Sequence, residues 1–351
     1  MSTSGSYNFG NTDLNTLIDI AFGQCGKPFE TITARDRDVA RFHANILLSS
    51  WINESVPLWS IKRNQLLTLI PGQSEYSLQK GTIDLLEVSL RRSIRQVTGT
   101  AFSNEGVAAN AFDGNSTTAC TQTTADGYIG FDYGPNSQKQ ILMIGITSQV
   151  LGGHSIQFDV SNDNINWSTV LDIPYKLYQA GTNYWFHIQS PKFGRYFRIK
   201  EYGGYILNIQ ELYFNDTIND ILFSPISRNE YYSQPNKFTS GPPLSYVVNR
   251  EISPTVTFWP VPSEIEVSQC NCIFYNAKMA IQDAGSSINS IEMPQRFYQP
   301  FIFGLSAQLA PQYAFDRTDK LCNLYTNAFN FATNEDTEKG IPISVELSFP
   351  R

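Results

Sequence analysis

Charge is scarce in this chain: Asp, Glu, Lys and Arg make up 16% of its 351 residues, and the formal net charge is −7. So sparse and slightly acidic a balance excludes the broad basic footprint of a protein that grips DNA or RNA. The local group Arg91, Arg92 and Arg95 reads as a solvated edge or an interdomain ion-pair site. Histidine is rarer still, with His43, His154 and His187 far apart. No Gly-x-Ser-x-Gly elbow and no Gly-Lys-Ser/Thr phosphate loop occurs, and the carboxylates Asp283 and Glu292 fall in a loop-like stretch, so an enzyme is not expected. The five cysteines, Cys25, Cys120, Cys270, Cys272 and Cys322, are odd in number and lack zinc spacing with the histidines. A reduced, cytosolic origin is the simplest reading. No apolar run approaches the roughly 18 residues of a membrane span. Met1 to Ser6 is polar, so no secretory signal is expected either.

Material for burial is ample, with 41% hydrophobic and 13% aromatic residues. The length suits two cores better than one. Leu14, Leu17, Ile18, Ala21 and Phe22 share one helical face behind a Thr12 cap. A second helix is predicted from Thr33, with Asp36 three residues on as an approximate capping box, and an apolar face of Val39, Phe42, Ile46, Leu47 and Ile52. Strands follow over 65–70, 75–78 and 83–90, and again over 220–223, 244–248, 255–259 and 268–275. Pro294 fits a first helical position before Phe297, Phe301, Leu305 and Leu309, with Pro300 expected to kink that helix. A last helix is predicted over 316–333, carrying Leu321, Leu324, Tyr325, Ala328 and Phe331. After a polar spacer, Ile341, Ile343, Val345, Leu347 and Phe349 alternate strictly with Pro342, Ser344, Glu346 and Ser348. Such a half-buried strand either docks on another chain's edge or folds back on its own sheet.

Between these flanks lie the turn Asn110–Thr118, the strand-like Gly127–Gly134, then Phe158–Asp163 with Trp167, Arg195–Ile199 and Ile209–Tyr213. Their order and spacing resemble a coagulation-factor type C domain, also called discoidin or galactose-binding-like. The resemblance implies an antiparallel β-sandwich of jelly-roll type over 93–217. It departs from the family at Cys120, where a tryptophan is usual. It also implies a structural calcium held by Asp113, Asn115, Thr118 and Glu211, the alternative being a turn closed by hydrogen bonds alone. Glycan contacts, where the family makes them, would fall to His154, Tyr175, Tyr178 and Trp185.

Without 93–217, about 226 residues remain in the order helix, helix, strands, strands, helix, helix. Leu47–Trp51 with Leu58-Trp59, Leu67–Gly72 with Tyr76–Leu78, Ile226–Tyr231 with Pro235–Lys237, Gly241–Tyr246, Thr257–Pro262, Ile281–Gly285 and Met293–Phe297 together resemble the head-to-tail adaptors, or tail accessory factors, of short-tailed bacteriophages. The implied fold class is α+β: a discontinuous four-helix body with a small β-sheet, carrying the inserted sandwich. The domains would be 1–92, 93–217, 218–335 and an extended tail 336–351. The resemblance further implies a virion ring of twelve copies at the head-tail junction, made in the bacterial cytoplasm. That ring would sit beneath the portal protein, touch tail nozzle or tail fibre proteins, and pass genomic DNA without sequence-specific binding, with no membrane partner. Its C-terminal strand Ile341, Ile343, Val345, Leu347 and Phe349 would bind the portal, the inserted domain would be an outward interaction or decoration module, and no cofactor is required. The alternative is a carbohydrate-binding tail or adhesin protein acting through the sandwich.

Overall fold

The computed structural model describes residues 13–54, 58–95, 98–263, 272–282, 291 and 293–335. They fall into two compact units: the described residues of 1–62, 80–84 and 278–351, and those of 63–79 and 85–277.

The first unit is helical. Helix α1 (Leu14–Gln24) starts where the Asp13 carboxylate accepts a 2.9 Å bond from Thr16 N, and buries Leu14, Leu17, Ile18, Ala21 and Phe22. The expected cap, Thr12, lies outside the described residues. Helix α2 (Ala34–Glu54) opens on a reciprocal cap: Asp36 N donates to Thr33 Oγ1 at 3.2 Å while Thr33 N donates to Asp36 Oδ2 at 2.8 Å. Lys27 Nζ at 2.6 Å and the Tyr313 hydroxyl at 2.7 Å also bind that carboxylate, and these donors hold its pKa well below the usual range. The buried face of α2 is only partly the expected one. Leu47 and Ile52 are buried as expected, but Phe42 is 66% and Ile46 44% exposed, and Ala40, Ala44, Leu48 and Trp51 complete the buried face. Two alanines one turn apart allow a close backbone approach that a phenylalanine would prevent.

Helices α3 (Tyr298–Tyr313) and α4 (Thr318–Glu335) complete this core. Phe297, Phe301, Leu305, Leu309 and Leu321 join the residues of α1 and α2 in one cluster. Pro294 is extended and precedes a 3-10 turn, so it is not the first helical residue. Pro300 lies in the first turn of α3, where its missing donor has no intrahelical partner anyway, and the helix runs on through it. At Gly304 a Cβ would meet Leu47 and Tyr325 at 2.9 Å, so glycine permits α3 to touch both neighbours.

The second unit is mostly antiparallel sheet, the short strand Ser224–Pro225 pairing parallel with Ser245–Asn249. Its strands before the sandwich are β1 (Ile61–Thr68), β2 (Glu75–Ser77) and β3 (Thr82–Arg95). Next come β4 (Thr100–Ser103), β5 (Cys120–Thr121), β6 (Tyr128–Asp132), β7 (Lys139–Gln140), β8 (Met143–Ser148) and β9 (Gly152–Ser161). The sandwich closes with β10 (Ser168–Tyr178), β11 (Asn183–His187), β12 (Phe193–Gly194), β13 (Tyr196–Glu201) and β14 (Asn208–Leu222). Then follow β15 (Ser224–Pro225), β16 (Ser245–Asn249), β17 (Thr255–Trp259) and β18 (Cys272–Met279). A five-stranded sheet ordered β10-β9-β13-β6-β4 faces the β14-β8-β11 part of a seven-stranded sheet. Phe131, Phe158, Phe197 and Phe214 fill the space between them, as the period-two pattern of each strand requires. Cys120, where the resemblance led to the expectation of a tryptophan, is fully buried there.

The expected borders at 93 and 217 lie inside unbroken strands. Strand β3 pairs with β14 from Ser89↔Leu222 to Arg95↔Asn215, and β14 then continues along β8. The chain therefore enters and leaves the sandwich on two adjacent strands, without a linker. Phe223 N donates to Val88 O at 2.9 Å, which ties the segments on either side of the sandwich into one ladder. A separate small sheet, β15-β16-β17-β2, packs Tyr76 and Phe223 against Phe258, each at 5.7 Å between ring centres.

Candidate functional site

Three of the four residues expected to contact a glycan come together at one end of the sandwich. His154, in the first turn of β9, points to the same side as the core residues Ile156, Phe158 and Val160, and is 3% exposed. Its ring lies 5.7 Å from that of Tyr178, at the end of β10. Tyr175, 60% exposed, lies 5.8 Å from Tyr205 with the ring planes tilted at 49°, and Tyr205 in turn meets His154 edge-on at 6.3 Å. Trp185 is elsewhere. Its ring covers Gly145 and packs with Met143, Cys272 and Tyr213 on the other face of the seven-stranded sheet.

Two residues of this end were not anticipated from sequence, Glu201 and Tyr205. Glu201 closes β13 fully buried and accepts bonds from Ser155 N at 3.1 Å, Gly203 N at 2.9 Å and Tyr205 N at 3.0 Å. It thereby shapes the 202–205 loop that holds Tyr205 over His154. The signal available in the sequence was Tyr202-Gly-Gly-Tyr205, a glycine pair between two aromatics directly after a strand. Gly153 is needed for the same geometry, because a Cβ there would lie 2.3 Å from the Tyr175 hydroxyl.

Neither ring nitrogen of His154, nor the Tyr178 hydroxyl, has a hydrogen-bond partner among the described residues. Burial lowers the His154 pKa, opposed by Glu201, and raises that of Tyr178. Chemically the end offers an exposed aromatic plate with a neutral imidazole behind it. Because the folded-state pKa of His154 lies below its unfolded value of about 6.5, the unfolded chain takes the proton first as pH falls. Stability should be full above that pH and decline below it. Urea midpoints at pH 7.5 and 5.0 will check this, and a His154→Leu variant with the same pH slope as the parent would remove His154 as the cause.

The turn expected to hold calcium is closed by its own bonds. Asp113 accepts from Asn115 N and Thr118 Oγ1, both at 2.8 Å, and Asn115 Oδ1 accepts from Thr117 N at 3.1 Å. Gln210 Nε2 donates to Ser116 O, which sets the turn beside β14, where Glu211 is buried. Asp113, Asn115, Thr118 and Glu211 supply only hard oxygens, the donor type calcium takes. Among the described residues, no three of His, Cys, Asp and Glu are grouped so as to hold a metal ion. The tail residues Ile341, Ile343, Val345, Leu347 and Phe349 lie outside the described residues, as do Cys270, Asp283 and Glu292. No described helix is long and apolar enough to cross a membrane.

No family model and no curated protein matches the chain. Among solved structures it is similar to the CpGH89CBM32-6 module produced by Clostridium perfringens, at 20% identity and TM-score 0.31, covering 35% of this chain and 96% of that one. It is also similar to the CBM62 module of Clostridium thermocellum Xyl5A, at 24% identity and TM-score 0.30, covering 34% and 98%. An F5/8 type C domain from Bacteroides fragilis is 13% identical with TM-score 0.31, covering 36% and 97%. These neighbours are carbohydrate-binding and F5/8 type C modules. At such identities and scores the sandwich rests on its own strand order and core.

Proposed function

We propose that the protein is a structural head-to-tail connector of a bacteriophage virion, with the discoidin-like sandwich as its interaction module. The observation that carries this reading is the shared interior of helices from the two chain ends. Residues 14–51 and 291–332 contribute to one core although more than two hundred residues separate them, which fits the adaptor-like order of the flanking motifs. On this reading the helical unit forms the ring and the segment Ile341–Phe349 binds the portal. No cofactor and no catalysis enter. Deleting Lys339–Arg351 should leave the far-ultraviolet spectrum of the chain that of a folded protein while abolishing its co-sedimentation with portal rings. Normal co-assembly of the truncated chain would sink the portal-binding role.

The second reading, a carbohydrate-binding tail or adhesin protein, is supported by the exposed Tyr175–Tyr205 pair. An exposed phenol ring beside a buried imidazole suits the apolar face of a pyranose ring. Retention of the full chain on immobilised sugars, lost in Tyr175→Ala, would favour this reading, whereas retention unchanged by that substitution would place the sugar elsewhere.

A further inference from the structure

The helical unit has an apolar cleft that no described residue fills. It lies between the C-terminal end of α1, the N-terminal end of α3 and the last turns of α4, and holds a volume of about 470 Å³. Ile20, Phe303, Ala328 and Phe331 line it, with Gln24, Arg296 and Gln299 among its polar residues. Phe331 is 73% exposed and Ile20 36%. Helix α4 was expected to bury Phe331, and it does not: the helix turns Leu321, Phe329 and Ala332 inward instead. A phenylalanine left open on the wall of an apolar cleft of ligand-holding size, roughly 300–1,000 Å³, marks a surface that something covers.

We propose that this cleft is the docking site for the chain's own C-terminal segment, Ile341 to Phe349, lying in it as an extended strand. Three observations select that occupant. Helix α4 ends at Glu335, only four residues past Phe331, so the remaining chain starts beside the cleft. The five residues 336–340 reach about 17 Å when extended, enough to bring Ile341 back along α4, with Gly340 free to make the reversal. The five apolar residues that follow alternate with polar ones, so an extended segment puts all of them on one face and leaves Ser344, Glu346 and Ser348 on the other. One apolar face is what a cleft open on one side can bury. Tethering holds the segment at an effective concentration on the order of millimolar, so a modest intrinsic affinity keeps the cleft occupied. The inference does not depend on the connector reading. If both hold, the segment leaves the cleft when a partner takes it.

The test uses the full-length chain, a chain ending at Glu338, and a fluorescein-labelled peptide of residues 339–351 as probe. The truncated chain should bind the peptide, the full-length chain should bind it at least ten-fold more weakly, and Phe331→Asp in the truncated chain should weaken binding at least ten-fold. Because Phe331 is exposed, an unchanged circular dichroism spectrum is expected for that variant and confirms folding. Failure of the truncated chain to bind the peptide, equal binding by the two lengths, or binding indifferent to Phe331→Asp would each overturn the proposal. Cross-linking a mixture of isotopically light and heavy full-length chains separates the sources of the segment. Tail-to-cleft links within a single label support the chain's own tail, and mixed-label links would assign the cleft to a second copy's tail. Every one of these outcomes can occur whether or not portal attachment is lost on truncation, so the two readings fail separately.

Discussion

Replacing Asp220 with alanine should destabilise the sheet unit by about 3 kcal/mol, the low end of the 3–5 kcal/mol typical for breaking a buried ion pair from one side. Arg91 is the reason. Its side chain is only 6% exposed, and it grips Asp220 with Nε–Oδ1 at 2.7 Å and Nη2–Oδ2 at 2.6 Å across the β3–β14 ladder. The guanidinium also lies 3.7 Å from the centre of the Phe274 ring and 3.3 Å from His187 Nδ1. Without Asp220 the cation keeps its aromatic neighbour but loses its acidic partner. Water reaches part of the gap because the Asp220 side chain is 33% exposed, which keeps the loss at the low end. The converse change should be milder. Arg91→Met removes the charge that is hard to solvate, fills similar space against Phe274, and leaves a carboxylate that water can reach. Urea melts of both variants will check the order, and an Asp220→Ala variant within 1 kcal/mol of the parent would sink the argument. A second readout is independent of unfolding. Burial and Arg91 hold the His187 pKa down while Asp220 opposes them, so it should fall further in Asp220→Ala, as an imidazole titration by NMR will reveal.

That pair also marks what was legible in the sequence. Arg91, Arg92 and Arg95 were readable as an ion-pair site, but neither the partner nor the burial could be read, because both depend on register across a gap of more than one hundred residues. Local periodicity served well where an element buries one stripe that its own residues announce, as in α1. It served only in part on α2, where Leu47 and Ile52 are buried as expected but Phe42 and Ile46 are not, and the small Ala40 and Ala44 lie in the core. Phe42 and Ile46 look like core by hydrophobicity, whereas Ala40 and Ala44 are core by fit. Borders were hard to read for a related reason. Residues 93 and 217 divide two motif sets, but the backbone hydrogen bonds of β3 and β14 run through both positions, and ladders leave no trace in composition. At the loop end of the sandwich the aromatics were visible singly. Their meeting was not, because Glu201 folds the 202–205 loop by accepting backbone bonds, and a buried carboxylate at a strand end has no sequence signature of its own.

Trp51→Ala should cost still more, about 3–5 kcal/mol, and where that loss appears distinguishes one cooperative helical unit from two adjacent halves. The indole is 1% exposed, lies within 5.6 Å of the ring centres of both Phe297 and Phe329 and 6.2 Å from Phe301, and donates through Nε1 to the Tyr325 hydroxyl at 3.0 Å. A residue of α2 thus fills the space between α3 and α4, elements that the chain reaches only after the entire sheet unit. Truncation leaves a cavity bounded by aromatic rings that Gly304, already in close approach to Leu47 and Tyr325, gives little room to close. Amide exchange should therefore accelerate together in α1, α2, α3 and α4, while the strands of the sandwich keep their protection. Acceleration confined to α2 would mean that the helices from the two chain ends are held independently, and the shared interior on which the connector reading rests would lose its energetic meaning. Tyr325→Phe provides the scale for the polar part of the site. It removes the hydrogen bond from Trp51 Nε1 without opening a cavity, so it should cost about 1 kcal/mol, and the larger part of the loss in Trp51→Ala belongs to packing.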